Sequence, residues 1–193
     1  PDVMIRYLRT LILPAILLSF SFESIYSQAF TEQVTSLPGI DRGSVDWGDY
    51  DNDGDPDVLI TGNGTAKIYR NDAGTFVDIL AGLQGVYNGS AKWGDYDRDG
   101  DLDILLTGEA MGYYWSVIYR NDNGVFVNIN AGLTGIRNGS SDWGDYDDDG
   151  DLDILITGVS AGNPLSLVYR NDNGVFTNIN AVLPNLGNSS CAW

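Results

Sequence analysis

The sequence predicts an all-β fold: a partial β-propeller of four-stranded antiparallel blades, about three complete blades and the start of a fourth. Three observations predict it. Tryptophans recur at Trp47, Trp93, Trp143 and Trp193, spaced by 46, 50 and 50 residues. Each interval carries four short strand-like segments parted by turn residues. A repeat of about 40 to 50 residues with that content is the mark of a propeller, whose blades pack face to face and need equivalent residues at each station. A β-sandwich is the other all-β arrangement considered, but it has no reason to repeat one unit so faithfully.

Within each unit the first strand runs through the tryptophan and leads into Trp-Gly-Asp-Tyr-Asp. An acidic cluster follows, then an apolar run: Val58-Leu59-Ile60, Ile104-Leu105-Leu106 and Ile154-Leu155-Ile156. Runs this short and continuous read as strands buried on both faces. The third strand carries Ile68-Tyr69-Arg70, Ile118-Tyr119-Arg120 and Val168-Tyr169-Arg170, and Asn-Asp-x-Gly then turns the chain into a fourth strand around Phe76, Phe126 and Phe176. The blades fall at about residues 41–86, 87–136 and 137–186, with 187–193 opening the next. Because propellers close with four to eight blades, the chain reads as part of a longer ring.

The first residues differ in kind. Met4-Ile5-Arg6-Tyr7-Leu8-Arg9 is a basic start, Leu11 to Phe22 is apolar apart from serines, and Ser27-Gln28-Ala29 supplies small residues for cleavage. Residues 1–29 therefore read as a signal peptide with Met4 as its start, and residues 30–193 as the exported propeller segment, extracellular or at the cell surface. The apolar stretch, interrupted by Pro14, falls short of the roughly 20 residues a membrane span needs, so no membrane span is expected.

The formal net charge is −17, with 43% hydrophobic and 11% aromatic residues, a packed chain rather than a disordered one. Of 27 acidic residues, 16 lie in three short clusters, leaving 11 acids outside them against 10 bases in the whole chain. That distribution repels phosphate backbones, and no nucleic acid partner is expected. The chain has no histidine and one cysteine, Cys191, so zinc, thiol and Ser-His chemistry are poorly supplied. Three glutamates exist, Glu23 among them in the signal region, and paired catalytic carboxylates are hard to nominate. No catalytic residue is assigned, and the segment is not expected to be an enzyme.

The acidic clusters carry the chemistry. Each reads Asp-x-Asp-x-Asp-Gly-x-x-Asp: Asp49, Asp51, Asp53 and Asp57 with Gly54; Asp95, Asp97, Asp99 and Asp103 with Gly100; Asp145, Asp147, Asp149 and Asp153 with Gly150. Carboxylates at positions 1, 3 and 5 converge if the backbone curls around a centre, and glycine at position 6 permits the bend. Position 7, which is Asp55, Asp101 or Asp151, then offers its carbonyl, and position 9 closes the cage. Hard oxygen ligands favour Ca2+, about three ions, one per loop; the competing reading is a set of metal-free Asx-turns, opposed by the repulsion of like charges. An EF-hand is excluded, since its position 12 would be Ile60, Leu106 or Ile156 in place of glutamate.

From about Asp41 to Trp193 these motifs resemble the FG-GAP/VCBS repeats of integrin α-subunit propellers and of many secreted bacterial proteins, the bacterial branch more closely. The resemblance implies a calcium-binding propeller used mostly for adhesion and ligand binding and sometimes attached to enzymes. The expected function is a secreted or cell-surface scaffold that binds an extracellular carbohydrate or protein ligand. The alternatives are a propeller domain of a secreted lyase or hydrolase, or a non-catalytic spacer of a larger surface protein. The rim opposite the calcium loops is where the units diverge: Thr61 to Tyr69 is eight steps, whereas Thr107 to Tyr119 and Thr157 to Tyr169 are twelve. Glu109, Tyr113, Tyr114 and Trp115 fall in that region, suited to recognition or to extending strands against a neighbouring blade. The tryptophans are expected between blades, the Tyr-Arg arginines beside acids, and Asn63-Gly64, Asn88-Gly89 and Asn138-Gly139 in turns.

Overall fold

A computed structural model describes residues 35–193, and the predicted leader lies outside the described residues. The described chain forms twelve strands. They are β1 (Ser44–Gly48), β2 (Asp57–Gly62), β3 (Thr65–Asp72), β4 (Thr75–Asp78), β5 (Ala91–Gly94), β6 (Asp103–Ala110), β7 (Tyr113–Asp122), β8 (Val125–Asn128), β9 (Arg137–Gly144), β10 (Asp153–Ser160), β11 (Asn163–Asp172) and β12 (Val175–Asn178). They make three four-stranded antiparallel sheets in sequential order, β1 to β4, β5 to β8 and β9 to β12, as the repeat predicts. No helix long and apolar enough to cross a membrane occurs among the described residues.

The hairpins follow from two-residue turns. Ala73-Gly74, Asn123-Gly124 and Asn173-Gly174 hold φ of 50° and 93°, 53° and 86°, and 52° and 86°. Positive φ at both positions is the type I′ turn, whose twist matches that of the flanking strands. The β2–β3, β6–β7 and β10–β11 hairpins turn in the same way at Asn63-Gly64, Met111-Gly112 and Ala161-Gly162. The four extra residues of the second and third units therefore lengthen the paired arms and leave the turn unchanged.

Packing between blades explains the residue pattern. Trp93, Ile104 and Tyr119 line up across three adjacent strands and face the first sheet, where Leu59 and Ile68 meet them. Leu105 and Ile118, on the opposite face, meet Trp143, Ile154 and Tyr169 of the third sheet. Both faces of a central strand are thus apolar because both are covered. Each tryptophan also lies against the glycine of the preceding blade's Trp-Gly pair: a Cβ at Gly94 would stand 2.6 Å from Trp143 Cδ1. Tyr50 and Trp93 stack with ring centroids 6.0 Å apart, as do Tyr96 and Trp143 at 6.1 Å, and Phe126 and Phe176 close these two clusters. Trp47 meets no such glycine among the described residues and is 57% exposed, against 9% for Trp93 and 8% for Trp143.

Asn88 and Asn138 correct the sequence reading. They are not hairpin turns. With φ of 51° and 50° they kink the chain where it enters the innermost strand, and they pass a hydrogen bond from blade to blade. Asn88 N–H donates to Arg42 O, Asn138 N–H to Asn88 O and Asn188 N–H to Asn138 O, at 3.0, 2.8 and 2.7 Å. Asn and Gly tolerate left-handed backbone for the same reason in both settings, so a local pattern does not separate turn from kink.

Truncating the buried indole, Trp93→Ala, should lower unfolding stability by about 3–5 kcal/mol, whereas Trp47→Ala should cost about 1 kcal/mol or less. Denaturant unfolding of the two variants checks the difference, and equal losses would contradict the stacking described.

Candidate metal centres

The acidic loop joins β1 to β2, and its aspartates first satisfy the loop's own backbone. Asp49 Oδ1 accepts from Asp53 N–H at 3.0 Å and Oδ2 from Gly54 N–H at 2.9 Å, while Asp53 Oδ1 accepts from Asp55 N–H at 2.8 Å. Asp95 with Asp99, and Asp145 with Asp149, repeat the arrangement. The curl needs left-handed backbone at positions 4 and 6: Asn52, Arg98 and Asp148 hold φ near 60°, and Gly54, Gly100 and Gly150 hold φ of 95°, 95° and 91°.

This curl brings three carboxylates together in each loop. Asp49, Asp51 and Asp53 each place an oxygen within 4.8 Å of the others, as do Asp95, Asp97 and Asp99, and Asp145, Asp147 and Asp153. Three convergent carboxylates, all oxygen donors, can hold a metal ion, and the donor set suits a hard cation. Asp57, Asp103 and Asp149 stand outside these sets.

Position 9 has a second task. Asp57, Asp103 and Asp153 are wholly buried. One oxygen accepts from the N–H of Tyr50, Tyr96 or Tyr146 in the loop, and the other from the N–H of Asn71, Asn121 or Asn171 at the end of the third strand. Position 7 likewise turns its side chain away from the triad. The carboxylates of Asp55, Asp101 and Asp151 accept from the turn N–H of Ala73, Asn123 and Asn173, at 3.0, 3.3 and 3.1 Å. Loop and turn form one rim.

The electrostatics of this rim are unfavourable to its own charges. Burial pushes the carboxyls of Asp51 and Asp97 above the usual range, with repulsion from Asp53 and Asp99 adding to it. Burial also raises Asp57, Asp103 and Asp153 against the backbone hydrogen bonds that favour ionisation, and Asp103, in the blade covered on both sides, is pushed up to about 7. The arginines are placed otherwise. Arg70, Arg120 and Arg170 pair with Asp72, Asp122 and Asp172 of the turns, as the sequence suggested, and hold Asp72 and Asp122 below the usual carboxylate range.

Several contributors escape a sequence reading. Asn121 and Asn171 are fully buried, and each anchors its own turn by accepting from Gly124 or Gly174 N–H at 2.6 and 2.7 Å. Their amides donate across the blade junction to Tyr50 O and Tyr96 O, at 3.1 and 3.2 Å. Position 4 of the loop also crosses: Asn52 Nδ2 donates to Gly100 O at 3.2 Å, and Arg98 pairs with Asp151. The only sequence signal for these links is that the Asn of Asn-Asp-x-Gly recurs in all three units.

On the opposite rim, Arg137 donates to Glu109 at 2.8 Å and lies over Tyr114, its guanidinium carbon 5.2 Å from the ring centroid. Tyr113 is 71% exposed, while Trp115 packs against the core between the first two sheets. The sequence-stated aromatics therefore divide between surface and packing.

A family model described as an FG-GAP-like repeat matches residues 49–106 and 95–156. Each match starts at the first aspartate of one loop and ends in the apolar strand after the next loop. No curated protein matches the chain.

The raised carboxyls fix the sign of a pH response. Between the ordinary aspartate pKa of about 4 and the raised values, which reach about 7 at Asp103, the folded chain without a cation binds more protons than the unfolded chain. Its stability therefore falls as pH rises through that window. In chelator, the melting temperature should be higher near pH 5 than near pH 8; a flat or opposite profile would contradict the burial of these groups.

Proposed function

The chain belongs to the FG-GAP-like repeat family, and on that premise we propose that it is a calcium-binding, exported β-propeller scaffold, extracellular or at the cell surface, whose ligand-binding rim lies opposite its acidic loops. The observation that carries the reading is the convergence of three carboxylates in each of three equivalent loops. Such groups repel one another unless a cation offsets them, and carboxylate oxygens in a flexible loop suit calcium better than magnesium, which demands stricter geometry and keeps its waters.

Asp49, Asp51 and Asp53, Asp95, Asp97 and Asp99, and Asp145, Asp147 and Asp153 would hold one ion each. The ion supplies charge compensation, and the chain's own bonds do the rest. With the loop set, Asp57, Asp103 and Asp153 clamp the turn, and the buried asparagines register each blade on its neighbour. The role assigned to calcium is structural.

The opposite rim supports ligand presentation. Its hairpins lengthen in the second and third blades, and Tyr87, Met111 and Tyr113 stand exposed beside the Glu109–Arg137 pair. Exposed aromatics beside paired polar groups on a rigid frame suit a carbohydrate or a protein surface. Glu109, the one glutamate among the described residues, is taken up by Arg137 and offers no free acid for catalysis.

Titration calorimetry with calcium should give one ion per acidic loop, three in all. The double variant Asp97→Ala, Asp99→Ala should bind one ion fewer and leave the other two sites intact. An unchanged stoichiometry in that variant would overturn the assignment.

A further inference from the structure

We propose that the acidic loops bind calcium cooperatively, a filled loop raising the affinity of the next one through the side chain at its own fourth position: Asn52 acts from the first loop on the second, and Arg98 from the second on the third. The proposal rests on the reading of these loops as calcium sites and adds to it how neighbouring sites regulate one another.

The link is a set of contacts between loops. Asn52 Nδ2 donates to Gly100 O at 3.2 Å and to Asp101 Oδ1 at 3.4 Å. Arg98 pairs with Asp151, and its guanidinium lies against Gly150, where a Cβ would stand 3.1 Å from Nη1. Both side chains therefore meet the sixth and seventh residues of the following loop, the stretch that leads to its ninth-position carboxylate.

The seventh-position carboxylate joins the two sides. Asp101 offers Oδ1 to Asn52 and Oδ2 to Asn123 N–H of its own turn, and Asp151 offers Oδ1 to Arg98 and Oδ2 to Asn173 N–H. Asp55, with no acidic loop before it among the described residues, keeps the turn bond to Ala73 N–H alone. Asp151 is 6% exposed, so its charge needs the partner that Arg98 supplies.

A loop's own carboxylates hold its fourth residue in place. Asp95 accepts from the N–H groups of Asp99 and Gly100, both at 3.1 Å, and so closes the backbone around Arg98. Asn52 and Arg98 hold φ of 59° and 61°, left-handed backbone that a residue other than glycine adopts at a cost. Repulsion among Asp95, Asp97 and Asp99 works against this curl; a cation that draws them together favours it, and with it the reach of Arg98 to Asp151. A third loop already held at Gly150 and Asp151 has less ordering left when its own ion arrives, and a smaller ordering cost is a higher affinity.

Charge alone gives the opposite sign. Calcium in the second loop offsets two of its three carboxylate charges and weakens the field that draws a cation into the third, and the Arg98 guanidinium repels a cation directly. These loops face water, where salt screens charges over about 8 Å, whereas a bonded contact is not screened away. Positive coupling is therefore the signature of the contact.

The test is a calcium titration of the full chain followed by amide NMR at Gly54, Gly100 and Gly150, whose N–H groups donate to the first aspartate of each loop and so report each loop separately. Arg98→Gln alters a side chain that is 54% exposed and should move the Gly150 midpoint to about fivefold higher calcium. Asp97→Ala with Asp99→Ala, which leaves the second loop unable to hold an ion, should move it by a like factor, and adding Arg98→Gln to that variant should move it no further. A Gly150 midpoint that stays put or falls to lower calcium in Arg98→Gln overturns the proposal, as does a full further shift in the combined variant; Arg98→Gln decides alone where the aspartate variant does not fold. Glycine amides that follow calcium with midpoints indifferent to Arg98→Gln remove the coupling and leave the calcium reading standing, and amides that ignore calcium remove both.

Discussion

The carboxylate at the ninth position of each acidic loop, Asp57, Asp103 or Asp153, is buried with a backbone N–H on each oxygen, and the rest of the rim depends on it. One bond reaches back into the loop and the other crosses to the end of the third strand. A single side chain thereby fixes where the second strand starts, how the loop curls and where the β3–β4 turn and its equivalents sit. Burying a carboxylate against two amide donors is stable only while its surroundings tolerate the charge. The loop above it packs further carboxylates within a few ångströms, and that conflict is what the proposed cation resolves.

From that rim the order spreads inward. The buried asparagines beside the turns reach the preceding blade's backbone, the indoles lie on the preceding blade's glycines, and the kinked Asn88 and Asn138 link the innermost strands. These three kinds of contact occur at different radii of the same junction. Each is made once per blade pair, so the array gains cohesion in equal steps. Asn71 donates to Pro56 O within its own blade, the bond that Asn171 also makes to Leu152 O, and Trp47 is left half in solvent among the described residues. On the rim opposite the acidic loops the hairpins differ in length and surface, and there the blades are joined by the Asn88 and Asn138 backbone bonds and by the Arg137–Glu109 pair.

The strands, their order and the two-residue turns were legible because each rests on local chemistry: an apolar run, a period, an Asn-Asp-x-Gly that admits positive φ. The acidic loops were legible for the same reason, being nine residues with a glycine where the backbone must bend. What escaped depends on residues far apart in the chain. Asn121 meets Tyr50 and Asn171 meets Tyr96 only because blades stack, and nothing around Asn52 or Arg98 announces a bond to the next loop. The side chains of Asp55, Asp101 and Asp151 point to the turns for a like reason: the donors they meet come from strands that fold back later. Asn88-Gly89 misled because a left-handed asparagine serves a kink as well as a turn.

The most direct test of the claim that a cation holds this rim together is thermal unfolding of the chain in calcium and in chelator. If the loops bind calcium only when folded, the melting temperature rises with calcium concentration, each site adding about 2.7 kcal/mol at a hundredfold excess over its dissociation constant. A melting temperature that is the same in calcium and in chelator would show that the loops are metal-free turns and that the fold stands on its blade packing alone.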